Sequence, residues 1–153
     1  MNEQEPFLLN KVSTYDMVLL KVIFDLHDQQ LRATLLKIYS ARHGMEGKHV
    51  GDEIEFVSGP STWGNTSLKV GETALVFLRD LSGTLYENAW RGHMVVEEID
   101  GVPHAIFPHL KESTDPASPA SRAIQDPKRS FARAIAFDDL ENHLRSLIAA
   151  QPS

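Results

Sequence analysis

The chain has 153 residues, of which 42% are hydrophobic and 24% charged, the composition of a globular protein with one domain, or one domain and an appendage. Its 15 lysines and arginines against 21 acids leave a net charge of −6, which argues against a general nucleic-acid coat or a basic membrane-surface protein. It has no cysteine, so disulfides, thiolate zinc sites, iron–sulfur clusters and cysteine nucleophiles are excluded.

The first residues, Met1-Asn2-Glu3-Gln4-Glu5-Pro6, are acidic and carry none of the basic and apolar character of a secretory leader. The most apolar early stretch, Met17 to Phe24, is interrupted by Lys21 and is far shorter than the roughly 18 apolar residues that span a bilayer. A cytoplasmic protein with no membrane partner is expected.

Residues 1–13 read as a loose lead-in. Met17 to Phe24 is rich in β-branched residues and reads as a buried strand. His27-Asp28-Gln29-Gln30 is a polar break of turn character. Leu31 to Tyr39 reads as a second strand, with a helix as the alternative. After a loop punctuated by Gly44, Gly47 and Gly51, Asp52-Glu53-Ile54-Glu55-Phe56-Val57 alternates with the period of a half-buried strand. Thr73 to Leu78 is a short apolar run, as in a central strand. Thr84-Leu85-Tyr86 follows the Ser82-Gly83 turn signal. His93 to Ile99 and Val102 to Phe107 flank Asp100-Gly101, a two-residue hairpin signal in which both central residues want positive φ. In that register Glu97, and not His93, stands opposite His104.

These short strands with glycine-rich turns between them predict a small closed or nearly closed barrel over residues 14–110. Residues 111–129, with Pro116, Pro119 and Pro127, read as an irregular linker. The stretch Ser130 to Phe137 is left open as to type. A C-terminal helix is expected over 138–150, with Leu140, Leu144, Leu147 and Ile148 on one stripe, Asp138 as its cap and Pro152 as its stop. The fold class expected is thus mainly β: a single domain over 1–153, a small OB-like Greek-key barrel with a C-terminal α-helix.

One set of segments is more specific. Val50-Gly51-Asp52-Glu53-Ile54-Glu55-Phe56, Val70-Gly71-Glu72-Thr73-Ala74-Leu75-Val76-Phe77-Leu78 and Gly83-Thr84-Leu85-Tyr86 together resemble the OB-type barrels of the tissue-inhibitor-of-metalloproteinase and netrin-module superfamily. The likeness covers about Thr14 to Phe107 and implies a barrel. The inhibitors of that superfamily chelate zinc through an N-terminal cysteine, and this chain has none, so the resemblance does not imply metalloproteinase inhibition.

Motifs for chemistry are sparse. The seven histidines (His27, His43, His49, His93, His104, His109 and His143) lack the short fixed spacings of metal ligands. No Gly-x-Ser-x-Gly elbow and no phosphate-binding glycine loop occurs. Glu97 and Glu98 are neighbours on one strand and so face opposite sides. No enzyme, cofactor or metal is expected. Trp63, Asn65, Trp90 and Tyr86 are the candidate partner-binding residues, because Trp63 lies in a loop and loop tryptophans commonly anchor interfaces, while core or barrel-mouth packing is the other reading of Trp90 and Tyr86. The expected function is non-enzymatic protein binding, in the manner of a bacterial immunity protein that neutralises a toxin, with a basic toxin domain as partner. Single-stranded nucleic-acid binding of the OB-fold type is the alternative, and it lacks an obvious basic groove in the sequence.

Overall fold

A computed structural model describes residues 11–58, 67–88, 92–111 and 113–151. The chain divides into two compact units, Thr14–Val95 and Val96–Ser153 together with Met1–Ser13.

The first unit holds five strands that close on themselves. They are β1 (Asp16–Asp25), β2 (Gln30–Ile38), β3 (Glu53–Val57), β4 (Thr73–Leu81) and β5 (Thr84–Glu87). The pairings β1–β2, β2–β3, β4–β5 and β1–β4 are antiparallel, and a parallel β3–β5 pairing completes the ring in the order 1-2-3-5-4-1. This is the OB-like Greek-key barrel that the sequence predicts, and the strand alternative for Leu31 to Tyr39 is the one adopted. Two register shifts against β2, at Leu19/Leu20 and Val22/Phe24, coil β1 so that it can pair with β2 and β4 at once.

Alternation decides which side chains enter the barrel. Val18, Leu20 and Val22 of β1, Leu31, Ala33 and Leu35 of β2, Ile54 and Phe56 of β3, and Ala74, Val76 and Leu78 of β4 share one core with Leu85. Met45, from the β2–β3 loop, is 1% exposed and adds to that core. Its loop is fixed by Asp16, whose buried carboxylate accepts from the backbone N–H groups of Arg42 (2.7 Å), His43 (2.8 Å) and Met45 (3.0 Å). The glycine at 44 is required, since a Cβ there would lie 2.8 Å from Asp80 Cβ.

Strand β6 (His93–Ile99) starts in the first unit and finishes in the second, so the ring closes with five strands rather than running on to residue 110. The second unit continues with β7 (Val102–Pro108), β8 (Ile124–Gln125), β9 (Ala132–Ala136) and the helix α1 (Phe137–Ala149). The β6–β7 turn has the expected left-handed residues, Asp100 at φ 53° and Gly101 at φ 79°. Glu97 pairs in register with His104, as predicted. The side chains part company, however: Glu97 takes Nη2 of Arg129 at 2.9 and 3.0 Å, and His104 Nδ1 lies 2.7 Å from the Val102 carbonyl.

The stretch whose type the sequence leaves open is the strand β9, antiparallel to β7 and β8. Segment 111–129 contains a 3-10 turn, Pro119–Arg122, whose first turn is capped by the Ser118 hydroxyl, as well as β8. Helix α1 packs on β7 and β9 and buries Phe137, Leu140 and Leu144, while Leu147 and Ile148 are half-buried. Its cap differs from expectation. Ala136 holds the N-cap position without a side-chain bond, because that residue is still paired with His104 as the last residue of β9. The acids Asp138 and Asp139 lie inside the first turn, where they favour the positive end of the helix dipole. Asp139 is forked by Arg122 at 2.6 and 2.8 Å. Pro152 lies outside the described residues.

Candidate functional site

Of the four side chains singled out from sequence, Trp63, Asn65 and Trp90 lie outside the described residues. Tyr86 is described. It sits on β5 between the inward-facing Leu85 and Glu87, and strand alternation turns it outward, 39% exposed.

Registers place it in a row that runs round the outside of the barrel. Gln30 stands opposite Val57, Val57 opposite Tyr86, and Tyr86 opposite Arg79, so these four cross β2, β3, β5 and β4 in one row. Two residues along each strand the same face repeats as a second row, Phe24–Arg32–Glu55. Phe24 is 57% exposed, and the Arg32 guanidinium lies 6.0 Å from its ring centroid. Arg32 also reaches Glu55 Oε2 at 2.7 Å, a bond that raises its pKa above the ordinary arginine value. Around Tyr86 the adjoining strands present the half-buried Val57 and the exposed Arg79, fixed in position by backbone pairing rather than by loop conformation, while Phe24 and Arg32 lie farther round the ring.

Strands β3 and β5 run parallel, so both end at the same pole of the barrel. There a second group lies underneath, which the sequence reading misses. Glu87 Oε1 accepts from Ser58 Oγ at 3.0 Å, and Oε2 lies 2.6 Å from His93 Nδ1. The His93 and Glu87 side chains are 2% and 1% exposed. Serine, histidine and glutamate together invite comparison with a hydrolytic triad. The order of contacts is wrong for one: a triad places the imidazole between hydroxyl and acid, and here the carboxylate stands between hydroxyl and imidazole. The arrangement ties the end of β3 to the end of β5 and the start of β6. Gly92 makes this possible, because a Cβ there would meet the Asn88 carbonyl at 2.1 Å and Glu87 Cγ at 2.5 Å. In the sequence these three are scattered polar residues beside turns, and nothing in their spacing marks them as partners.

Among the described residues no group of three or more histidines and acids is placed to hold a metal ion. No helix among them is long and apolar enough to cross a membrane. In the second unit, Arg129 joins Glu97 to Asp126, its Nη1 lying 2.9 Å from Asp126 Oδ2. The bonds to Glu97 hold this guanidinium above its ordinary pKa, with partial burial opposing and Asp126 adding to the rise. A cation raised in this way keeps its contribution to stability as the pH rises toward the ordinary arginine range.

The chain matches no protein-family model and no curated protein. The structure shows a small closed β-barrel of the OB-like kind, and no match ties the chain to the metalloproteinase-inhibitor and netrin superfamily.

Proposed function

We propose that this protein is a non-enzymatic protein-binding domain that grips its partner with the outer patch centred on Tyr86. The observation that carries the reading is that the exposed Tyr86 stands in register between Val57 and Arg79 on the outside of the barrel. Tyrosine and arginine are the residue types most often found as binding hot spots, and a strand-held side chain loses little entropy on docking. The net charge of −6 suits a basic partner, which it would draw in by electrostatic steering. A toxin-neutralising immunity protein of the bacterial cytoplasm is the specific role that fits a small acidic domain of this kind.

The test is co-expression with the protein encoded by the adjacent gene, followed by titration at rising salt. The proposal predicts a stable complex whose affinity falls with salt. It also predicts that Tyr86→Ala weakens binding at least tenfold, the roughly 1.4 kcal/mol or more of a hot spot, while the melting temperature stays near wild type. Absence of a complex, or a complex indifferent to Tyr86→Ala and Arg79→Ala, would overturn it.

A second reading uses the same side chains. Tyr86 is an exposed aromatic on the outside of an OB-like barrel, with Arg79 alongside, and a base can stack on such a side chain. It predicts that a twelve-residue oligothymidylate binds at low salt and is lost with Tyr86→Ala. The carboxylate of Glu55 inside the patch disfavours a phosphate backbone there.

A further inference from the structure

Toward β2, strand β3 is paired in register from Thr34↔Glu53 to Gln30↔Val57, whereas toward β5 its ladder holds Phe56↔Leu85 and Val57↔Tyr86. An open groove of about 440 Å³ lies along this seam, between β3 and the β4–β5 hairpin. Glu53 and Glu55 line one wall and Asp80, Gly83 and Thr84 the other, and among the described residues of the lining Lys48 is the one cation. The three carboxylates differ in how they are met. Arg32 holds Glu55 Oε2 at 2.7 Å. Asp80 Oδ1 accepts from Gly83 N at 2.8 Å, a turn contact that fixes the carboxylate without neutralising it. Among the described residues neither Asp80 nor Glu53 forms an ion pair, and Lys48 forms none either.

We propose that this groove seats an arginine side chain of a basic protein partner. Its three carboxylates stand against two cations, Arg32 and Lys48, so an excess of negative charge is left in a chain whose net charge is already −6. The two carboxylates outside any ion pair belong to opposite walls, Glu53 on β3 and Asp80 on β4. A planar guanidinium carries donors on more than one edge and can meet a carboxylate on each side, which the point charge of a lysine does less well. Hydrocarbon from Ile54, Phe56 and Leu85 also lines the groove and suits the aliphatic stem of a long cationic side chain. Gln30 belongs both to this lining and to the row that contains Tyr86, so one partner can cover the two together. The inference rests on the protein-binding reading for the existence of a partner, and on the charges of the groove for the side chain that the partner inserts.

The probes are the Nα-acetylated amides of arginine, of lysine and of citrulline, the uncharged isostere of arginine. Each is titrated at low salt and followed by the NMR shifts of the Glu53, Asp80 and Gly83 amides. The arginine probe is expected to move those signals and to bind about fivefold more tightly than the citrulline probe, with the lysine probe between them and the preference lost at high salt. Glu53 is exposed on the strand, so Glu53→Gln should leave the melting temperature near that of the parent while weakening the arginine probe about fivefold. Lys48→Gln removes the competing cation and should tighten it. The proposal is overturned if citrulline or lysine binds as well as arginine, if Glu53→Gln binds the arginine probe like the parent, or if Lys48→Gln weakens it. A natural partner that is lost with Tyr86→Ala yet indifferent to Glu53→Gln would sink the arginine seat and leave the protein-binding reading standing.

Discussion

At Asp16 a carboxylate is fully buried and fully used. Its three backbone N–H donors, at Arg42, His43 and Met45, are charge-assisted bonds, and they fix the loop that delivers Met45 to the barrel core. Asp16→Asn keeps the shape but removes the charge and turns an amide N–H₂ toward backbone donors. It should cost about 2–3 kcal/mol, read as a lowered urea midpoint with an unchanged slope. A loss under about 0.5 kcal/mol would mean that the loop is held by packing alone. At this scale the sequence was informative about some side chains and silent about others. Tyr86 is legible as an outward residue because Thr84-Leu85-Tyr86 alternates. Glu87 is not, since the same alternation sends a glutamate inward, which makes sense only once Ser58 and His93 are found beside it. The Asp16 contacts span 26 to 29 positions along the chain, beyond the reach of any local pattern.

Elements were most readable where one short-range rule decides them. The Asp100-Gly101 hairpin and its Glu97–His104 register follow from turn chemistry alone. The β1–β2 connection is less orthodox. His27, Asp28 and Gln29 have φ of 70°, 52° and 65°, three successive left-handed residues without a glycine among them. Each costs roughly 1 kcal/mol relative to right-handed backbone, with aspartate the most tolerant. Gln29→Gly relieves that strain and returns part of the gain as unfolded-state entropy, so a net stabilisation of about 0.5–1 kcal/mol is expected. Differential scanning calorimetry checks it, and a lower melting temperature would show that the turn is not strained. Strand β9 marks the opposite case. Ala-Arg-Ala-Ile-Ala has no strand propensity to speak of, and it is a strand because β7 and β8 flank it. The same flanking explains why α1 begins without a capping side chain.

For the molecule as a whole, the barrel type was legible, because alternation and glycine turns recur at short intervals, but of the roughly seven strands the sequence suggests between Thr14 and Phe107 five form the ring. The closure was not. It depends on β3 meeting β5 in parallel across an intervening strand, a non-local pairing that no hairpin signal announces. Nor does the sequence mark the point within β6 at which one compact unit gives way to the other. The functional account follows from that closure. A ring sealed through two residue pairs holds Tyr86 on its outside and leaves the N–H groups of Glu53 and Glu55 outside that short ladder. Amide hydrogen exchange on the free protein, read residue by residue by NMR, measures this directly. The account predicts slow exchange at Ile54, Phe56 and Val57, and exchange at Glu53 and Glu55 at least a hundredfold faster. Equal protection from Glu53 through Val57 would mean that the seam is zipped along its whole length, and would contradict the two-pair closure.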